Sequence, residues 1–155
     1  MIQILDKKLL QEIYRSLKEQ FGVSDIPGRI MKLGEEKLFL FTGDATDEEI
    51  KKLENIVPVE RLGVYFAKII NDDVKLSIDG SQILKEEIKK NIFELDEDQA
   101  EKWMMGQELN LKSGKKGFVV MKYKDNFLGC GKASEEKISN FIPKMRRLKN
   151  REVRI

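Results

Sequence analysis

The chain contains no histidine. That absence removes the commonest general base, the Ser-His-Asp arrangement and most zinc sites. One cysteine, Cys130, excludes an internal disulfide and any multi-cysteine metal site, and it fits a reducing compartment. Cys130 falls mid-strand with no histidine to activate it, so it is expected to be a small buried hydrophobe rather than a nucleophile. Three prolines and the lack of a Gly/Ser tract argue against a long disordered linker. No apolar run approaches the ~18 residues of a membrane span, and the first residues form a charged amphipathic segment rather than a signal peptide. The expectation is a cytoplasmic protein with no membrane partner.

Phosphate-loop and dinucleotide fingerprints are also missing. Gly129-Cys130-Gly131-Lys132 lacks the four residues between glycines that a nucleotide-hydrolase loop needs, and Ala133 follows where that loop has Ser or Thr. Asp44, Asp47, Glu48 and Glu49 resemble a metal cluster, but three of them fit helix-start charges that complement the macrodipole. No cofactor, metal or catalytic residue is therefore assigned.

What is present is charge, unevenly spread. Of 155 residues, 36% are charged and 41% hydrophobic, and the formal net charge is +2. From Lys112 to Ile155 there are 13 Lys and Arg against 4 Asp and Glu, a local balance of +9. The preceding residues hold 16 basic and 23 acidic side chains, a balance of −7. Such segregation directs the final third toward polyanions.

Along the chain, Asp6 is an N-cap for a first helix whose Leu9, Ile13, Leu17 and Phe21 form one apolar stripe, ended by Gly22. Arg29–Leu33 and Lys37–Phe41 flank Gly34-Glu35-Glu36 and read as an antiparallel pair. Thr46 with Glu49 is a capping box, and Pro58 ends that unit. Strand-like runs at Leu62–Ile70 and Val74–Ile78 follow, then a turn at Asp79-Gly80-Ser81-Gln82, with room for a helical turn between Ile83 and Lys90. Ile92–Leu95 opens a new strand, Asp96 and Gln99 cap another helix start, and Gly106 closes it. The fold class is α+β, with a boundary that divides the chain into 1–88 and 89–155.

The final third centres on a hairpin. Gly117–Lys124 alternates apolar and basic residues, turns at Asp125-Asn126, and returns through Phe127–Lys132. Gly129 and Gly131 lie two apart, so their missing side chains should leave one bare strip where a ligand's backbone can come close. Lys122, Lys132, Lys137, Lys144, Arg146, Arg147 and Lys149 surround that strip as candidate phosphate contacts. Asn140 can donate and accept at once, which suits a base edge or ribose hydroxyl, and equally suits a local turn before Pro143. Tyr123, Phe127 and Phe141 interleave with the cations and are candidates for base stacking, against core packing for the two phenylalanines.

Gly106 after the Trp103 helix, Gly117 with Val119-Val120, Leu128-Gly129-Cys130-Gly131-Lys132, and then Lys137, Asn140, Pro143-Lys144 and Arg146 occur in an order that resembles a PUA-type RNA-binding domain. More narrowly, they resemble the C-terminal PUA-like domain of NOL/NOP/Sun (Fmu) family RNA cytosine-5 methyltransferases. Cys130 departs from the pattern, which commonly has an aromatic there. The stretch from Arg61 to Gln82 resembles small archaeal stand-alone relatives. The resemblance implies an N-terminal α/β pre-PUA domain followed by a PUA-like β-barrel. It also implies a non-catalytic RNA-binding protein that meets rRNA or tRNA in ribosome biogenesis or RNA modification. The alternatives are a protein-interaction adaptor docking an RNA methyltransferase or pre-ribosomal protein, and a small RNA-modifying enzyme using carboxylate or lysine chemistry.

Overall fold

Helix caps, strand alternation and one register shift in each sheet account for most of the architecture. The computed structural model describes residues 2–57 and 63–149. The expected terminator Pro58, the strand start at Leu62, and Arg61 of the resembling stretch lie outside the described residues, as does the tail from Asn150.

The chain folds as β1 (Ile2–Ile4), α1 (Lys7–Phe21), β2 (Arg29–Leu33), β3 (Lys37–Phe41), α2 (Asp47–Ile56), β4 (Val64–Ile70), β5 (Asp73–Leu76) and α3 (Ile78–Ile83). The later elements are β6 (Ile92–Glu94), α4 (Glu97–Met104), β7 (Gly117–Tyr123), β8 (Asn126–Ala133), β9 (Ile138–Asn140) and a 3-10 turn at Lys144–Arg146. The three predicted N-caps form: Asp6 accepts from the Leu9 N–H, and Thr46/Glu49 and Asp96/Gln99 close as reciprocal capping boxes. The expected turn at residues 79–82 is instead helical, because the Ser77 hydroxyl accepts from the Gly80 N–H and starts α3.

Two sheets result. The first runs β1-β2-β3-β4-β5 and is antiparallel throughout. The second runs β6-β7-β8-β9, with β6 parallel to β7 and the other pairs antiparallel. In this order β6 and β9 are edges, so strand pairing among the described residues does not close the barrel that the resemblance implied.

The main core holds Leu17, Phe21 and Ile13 of α1 with Leu38, Phe66 and Leu76, and also Phe118, Val120, Phe127 and Cys130. Residues on both sides of position 88 thus share one apolar cluster. A second cluster gathers Trp103, Val119, Met121, Leu128 and Ile138 on the other face of β7. β7 is therefore buried on both faces, with the predicted alternation of Phe118/Val120 against Val119/Met121. On β8 the alternation breaks. Pairing shifts between Val120 and Lys122, Gly129 takes φ +79°, and Leu128 and Cys130 end in different clusters.

β9 pairs with β8 from Gly131 to Ala133, leaving the earlier half of that edge to find other partners. α3 supplies them: Ser81 Oγ accepts from the Gly129 N–H at 3.0 Å and Gln82 Oε1 from the Phe127 N–H at 2.5 Å. These bonds satisfy buried backbone donors and fix the first sheet against the second.

Candidate nucleic-acid interface

The glycine strip is real as geometry but closed as a groove. A Cβ on Gly131 would stand 2.5 Å from Ile138 and 2.7 Å from the Trp103 ring. One on Gly129 would stand 3.3 Å from the backbone nitrogen of Ile78. Both glycines are buried. They permit a close approach, as their spacing predicts, yet what approaches is the chain's own α3 and Trp103. Gly131 is therefore a packing position beneath Trp103, and Gly129 packs on α3 while also lining the cleft at the seam between the sheets.

Asn140 is likewise committed internally. Its Nδ2 donates to the carbonyls of Trp103 (2.7 Å) and Gln107 (3.1 Å), and its Oδ1 accepts from the Ile142 N–H at 2.8 Å. All three bonds serve the local turn and the end of α4, which occupies both amide donors and one of the two Oδ1 lone pairs. Arg147 lies on Gly106 and donates from Nε to the Ile142 carbonyl at 2.8 Å.

The remaining expected cations do not form one ring. Lys122 and Lys132 stand at opposite ends of the β7–β8 hairpin, since Lys122 pairs with Phe127 and Phe118 with Lys132. Lys122 lies 5.6 Å from the Phe127 ring centre and 4.0 Å from Glu94. Lys137 is held at 2.9 Å by Glu108. Arg146 makes a two-pronged contact with Asp79, at 3.0 and 3.4 Å. Lys144 and Lys149 are exposed near the chain's described end.

A different grouping emerges at the seam between the sheets. Phe141 is 39% exposed, an unusual position for a large apolar ring, and meets Phe118 edge-on at 6.3 Å between centres. Lys75 of β5 holds its ammonium 4.3 Å from the Phe141 ring centre, and Lys132 lies 5.8 Å from that of Phe118. Phe141 and Lys75 border a cleft of about 270 Å³ whose lining also includes Tyr65, Ile78, Gly129, Pro143 and Arg146. Its volume falls just below the ~300–1,000 Å³ typical of sites for whole small-molecule ligands, and suits a single planar group. Burial, and then the neighbouring Lys68, lower the Lys75 pKa. Its charge is thus poorly solvated, and the attraction of Glu36 offsets only part of that cost. A larger cleft, about 450 Å³ between α1 and β5, is lined by Glu12, Glu19, Asp72 and Asp73 against Arg15, an acidic balance that disfavours phosphate.

Cys130 lines the same seam without chemistry of its own. Burial pushes its thiol pKa up to about 12, and the sulfur accepts from the Leu76 N–H at 3.3 Å.

The sequence reading missed Lys75 and Phe118. Lys75 lies in the segment of acidic balance, and its place beside Phe141 depends on packing between two sheets. Phe141 was named, and its exposure decides its role.

The family model described as the Methyltransferase RsmF PUA domain matches residues 90–148. Residues 90–148 form a PUA-like domain. It resembles the C-terminal domain of the Sun/Fmu methyltransferases. Similarity to whole proteins reaches further. A "Ribosomal RNA small subunit methyltransferase F" of Psychromonas ingrahamii is 25% identical over 140 residues, which cover 86% of this chain and 28% of that protein. Proteins of the same description from two Vibrio vulnificus strains are 24% identical over 142 residues, covering 92% of this chain and 29% of theirs. The chain thus spans under a third of the length of these relatives. They are bacterial, so the archaeal kinship expected from the sequence finds no support. Phe118, Lys132 and Phe141 belong to the PUA-like domain, whereas Lys75 and Tyr65 come from the sheet that precedes it.

Proposed function

We propose that this protein binds RNA in rRNA modification, through the seam at which its PUA-like domain meets the N-terminal sheet. The carrying observation is the exposed Phe141 ring flanked by Lys75 and backed by Phe118 and Lys132. An exposed ring among cations is what an unpaired base and its phosphate require, since stacking tolerates any base and the ammonium groups hold the backbone. The description of the relatives as small-subunit rRNA methyltransferases supports small-subunit rRNA as the target.

The reading is non-catalytic. Cys130, the one cysteine, is buried as a thiol with its pKa raised. An RNA methyltransferase or a pre-ribosomal protein is the protein partner in keeping with this role. The N-terminal α/β unit acts in this reading as a pre-PUA domain, completing one wall of the cleft.

The test is binding to fragments of small-subunit rRNA followed by fluorescence anisotropy, comparing the native chain with Phe141→Ala and Lys132→Gln. The reading predicts that each substitution weakens binding, with Phe141→Ala costing ~1–3 kcal/mol. Native-level binding in both variants would overturn it.

A further inference from the structure

The N-terminal sheet carries three lysines abreast. Lys37 on β3 opposes Lys68 on β4, and Lys68 opposes Lys75 on β5. Their alternating neighbours Leu38, Ala67 and Leu76 are buried in the main core, so the lysines share the sheet's opposite face. Adjacent strands stand ~4.8 Å apart, which sets these ammonium groups side by side. Like charges directly opposite one another destabilise a sheet. Among the described residues, the one carboxylate within ion-pair distance of the row is Glu36, 3.6 Å from Lys68. Lys37 instead lies 5.9 Å from the Tyr65 ring centre, and Lys75 4.3 Å from that of Phe141. A row of cations alternating with rings and almost devoid of counter-charge is unfavourable by itself and is relieved by a polyanion.

We infer that this lysine row is a track for single-stranded RNA, extending the interface of the PUA-like domain across the open face of the N-terminal sheet. The inference rests on the RNA-binding reading above. Phosphates sit on Lys75, Lys68 and Lys37 in succession while bases reach Phe141 and Tyr65. The rings distinguish RNA from an acidic peptide, which gains from the charges and has no planar groups to stack. A single strand is favoured over a duplex because its bases are free to turn onto those rings.

The double substitution Lys37→Gln/Lys68→Gln tests the track while leaving every residue that lines the seam cleft in place. Binding of a short oligouridylate is measured across a salt series, with circular dichroism confirming the fold. The expected result is at least a several-fold loss of affinity and a salt slope shallower by about 1.4, from two lost contacts at ~0.7 each on a single strand. If the double variant keeps the native affinity and slope while Phe141→Ala still weakens binding, the track is wrong and the seam stands. If the native chain binds neither oligouridylate nor structured rRNA, both readings fall. If polyglutamate competes with oligouridylate at equal charge concentration, the row is a general anion surface and the RNA track is overturned.

Discussion

The ammonium of Lys75 lies 4.3 Å from the centre of the Phe141 ring, joining a strand of the N-terminal sheet to the segment that follows β9. The pairing is only partly compensated. A ring face offsets some of the lost hydration, but burial and Lys68 both disfavour the charged amine. The site is held ready for an anion at a cost to the unbound fold.

Replacing Lys75 by Met is therefore predicted to raise the thermal midpoint near neutral pH and to weaken RNA binding. The folded state binds the Lys75 proton less tightly than the unfolded chain does, because its pKa is lowered from 10.5. Between the lowered pKa and 10.5, the unfolded state holds more protons and the native protein gains stability as pH rises. That gain should be absent from Lys75→Met. Thermal melts over an alkaline pH series check both statements, and a variant less stable than native at neutral pH contradicts them.

Gly131→Ala and Gly129→Ala are predicted to act on stability. At Gly131 the new methyl meets Ile138 and Trp103, an overpacking worth ~1–3 kcal/mol. At Gly129 it must adopt φ +79°, worth roughly 1–2 kcal/mol, close to the α3 backbone. Urea unfolding should show these losses, while the RNA affinity of folded Gly131→Ala, whose position lies outside the cleft lining, stays native. Weakened binding without lost stability would restore the glycines as a ligand floor.

Cys130 is predicted to resist alkylation in the folded protein at pH 8 and to react once urea unfolds it. Its pKa, raised from 9.0 to about 12, means the native state keeps a proton that the unfolded chain loses. The stability this thiol contributes is complete below pH 9 and is lost as pH rises toward 12. Cys130→Ala should show a smaller decline over that window. Rapid labelling of the native protein would contradict the buried thiol.

Asp79→Asn frees Arg146 from its two-pronged partner at the mouth of the cleft. Both side chains are about half exposed, so the pair is worth ~0–1 kcal/mol and the melting point should barely move. RNA binding is predicted to strengthen, since Arg146 gains freedom to meet phosphate and one repelling carboxylate disappears. Unchanged or weaker binding would assign Arg146 to holding the 3-10 turn alone.

Local signals were legible in the sequence wherever one short segment contained the whole cause. Asp6, Thr46 with Glu49, and Asp96 with Gln99 each placed a helix start, the Gly34-Glu35-Glu36 turn placed β2 and β3, and alternation placed β7. Two short elements went unread: β1 and β9 have three residues each, too few for a period to show, whereas β6, equally short, was expected. α3 was hidden because Asp79, Gly80 and Ser81 are turn formers. Gly80 is required there by the Phe66 carbonyl, which crowds the place of a side chain. The interface was less legible than the fold. Summing charge along the chain pointed to the final third, but Lys37, Lys68 and Lys75 align only through strand register and lie among acidic residues. Asn140 suited a base edge and a local turn equally in the sequence, and its bonds to Trp103, Gln107 and Ile142 build the turn.

Ultraviolet crosslinking of the native protein to a small-subunit rRNA fragment, with the adducts located by mass spectrometry, addresses the seam directly. The account predicts adducts on Phe141 and Tyr65, the two partly exposed rings of the cleft. Adducts confined to Tyr123 at the far end of the β7–β8 hairpin, or to α1, would contradict it.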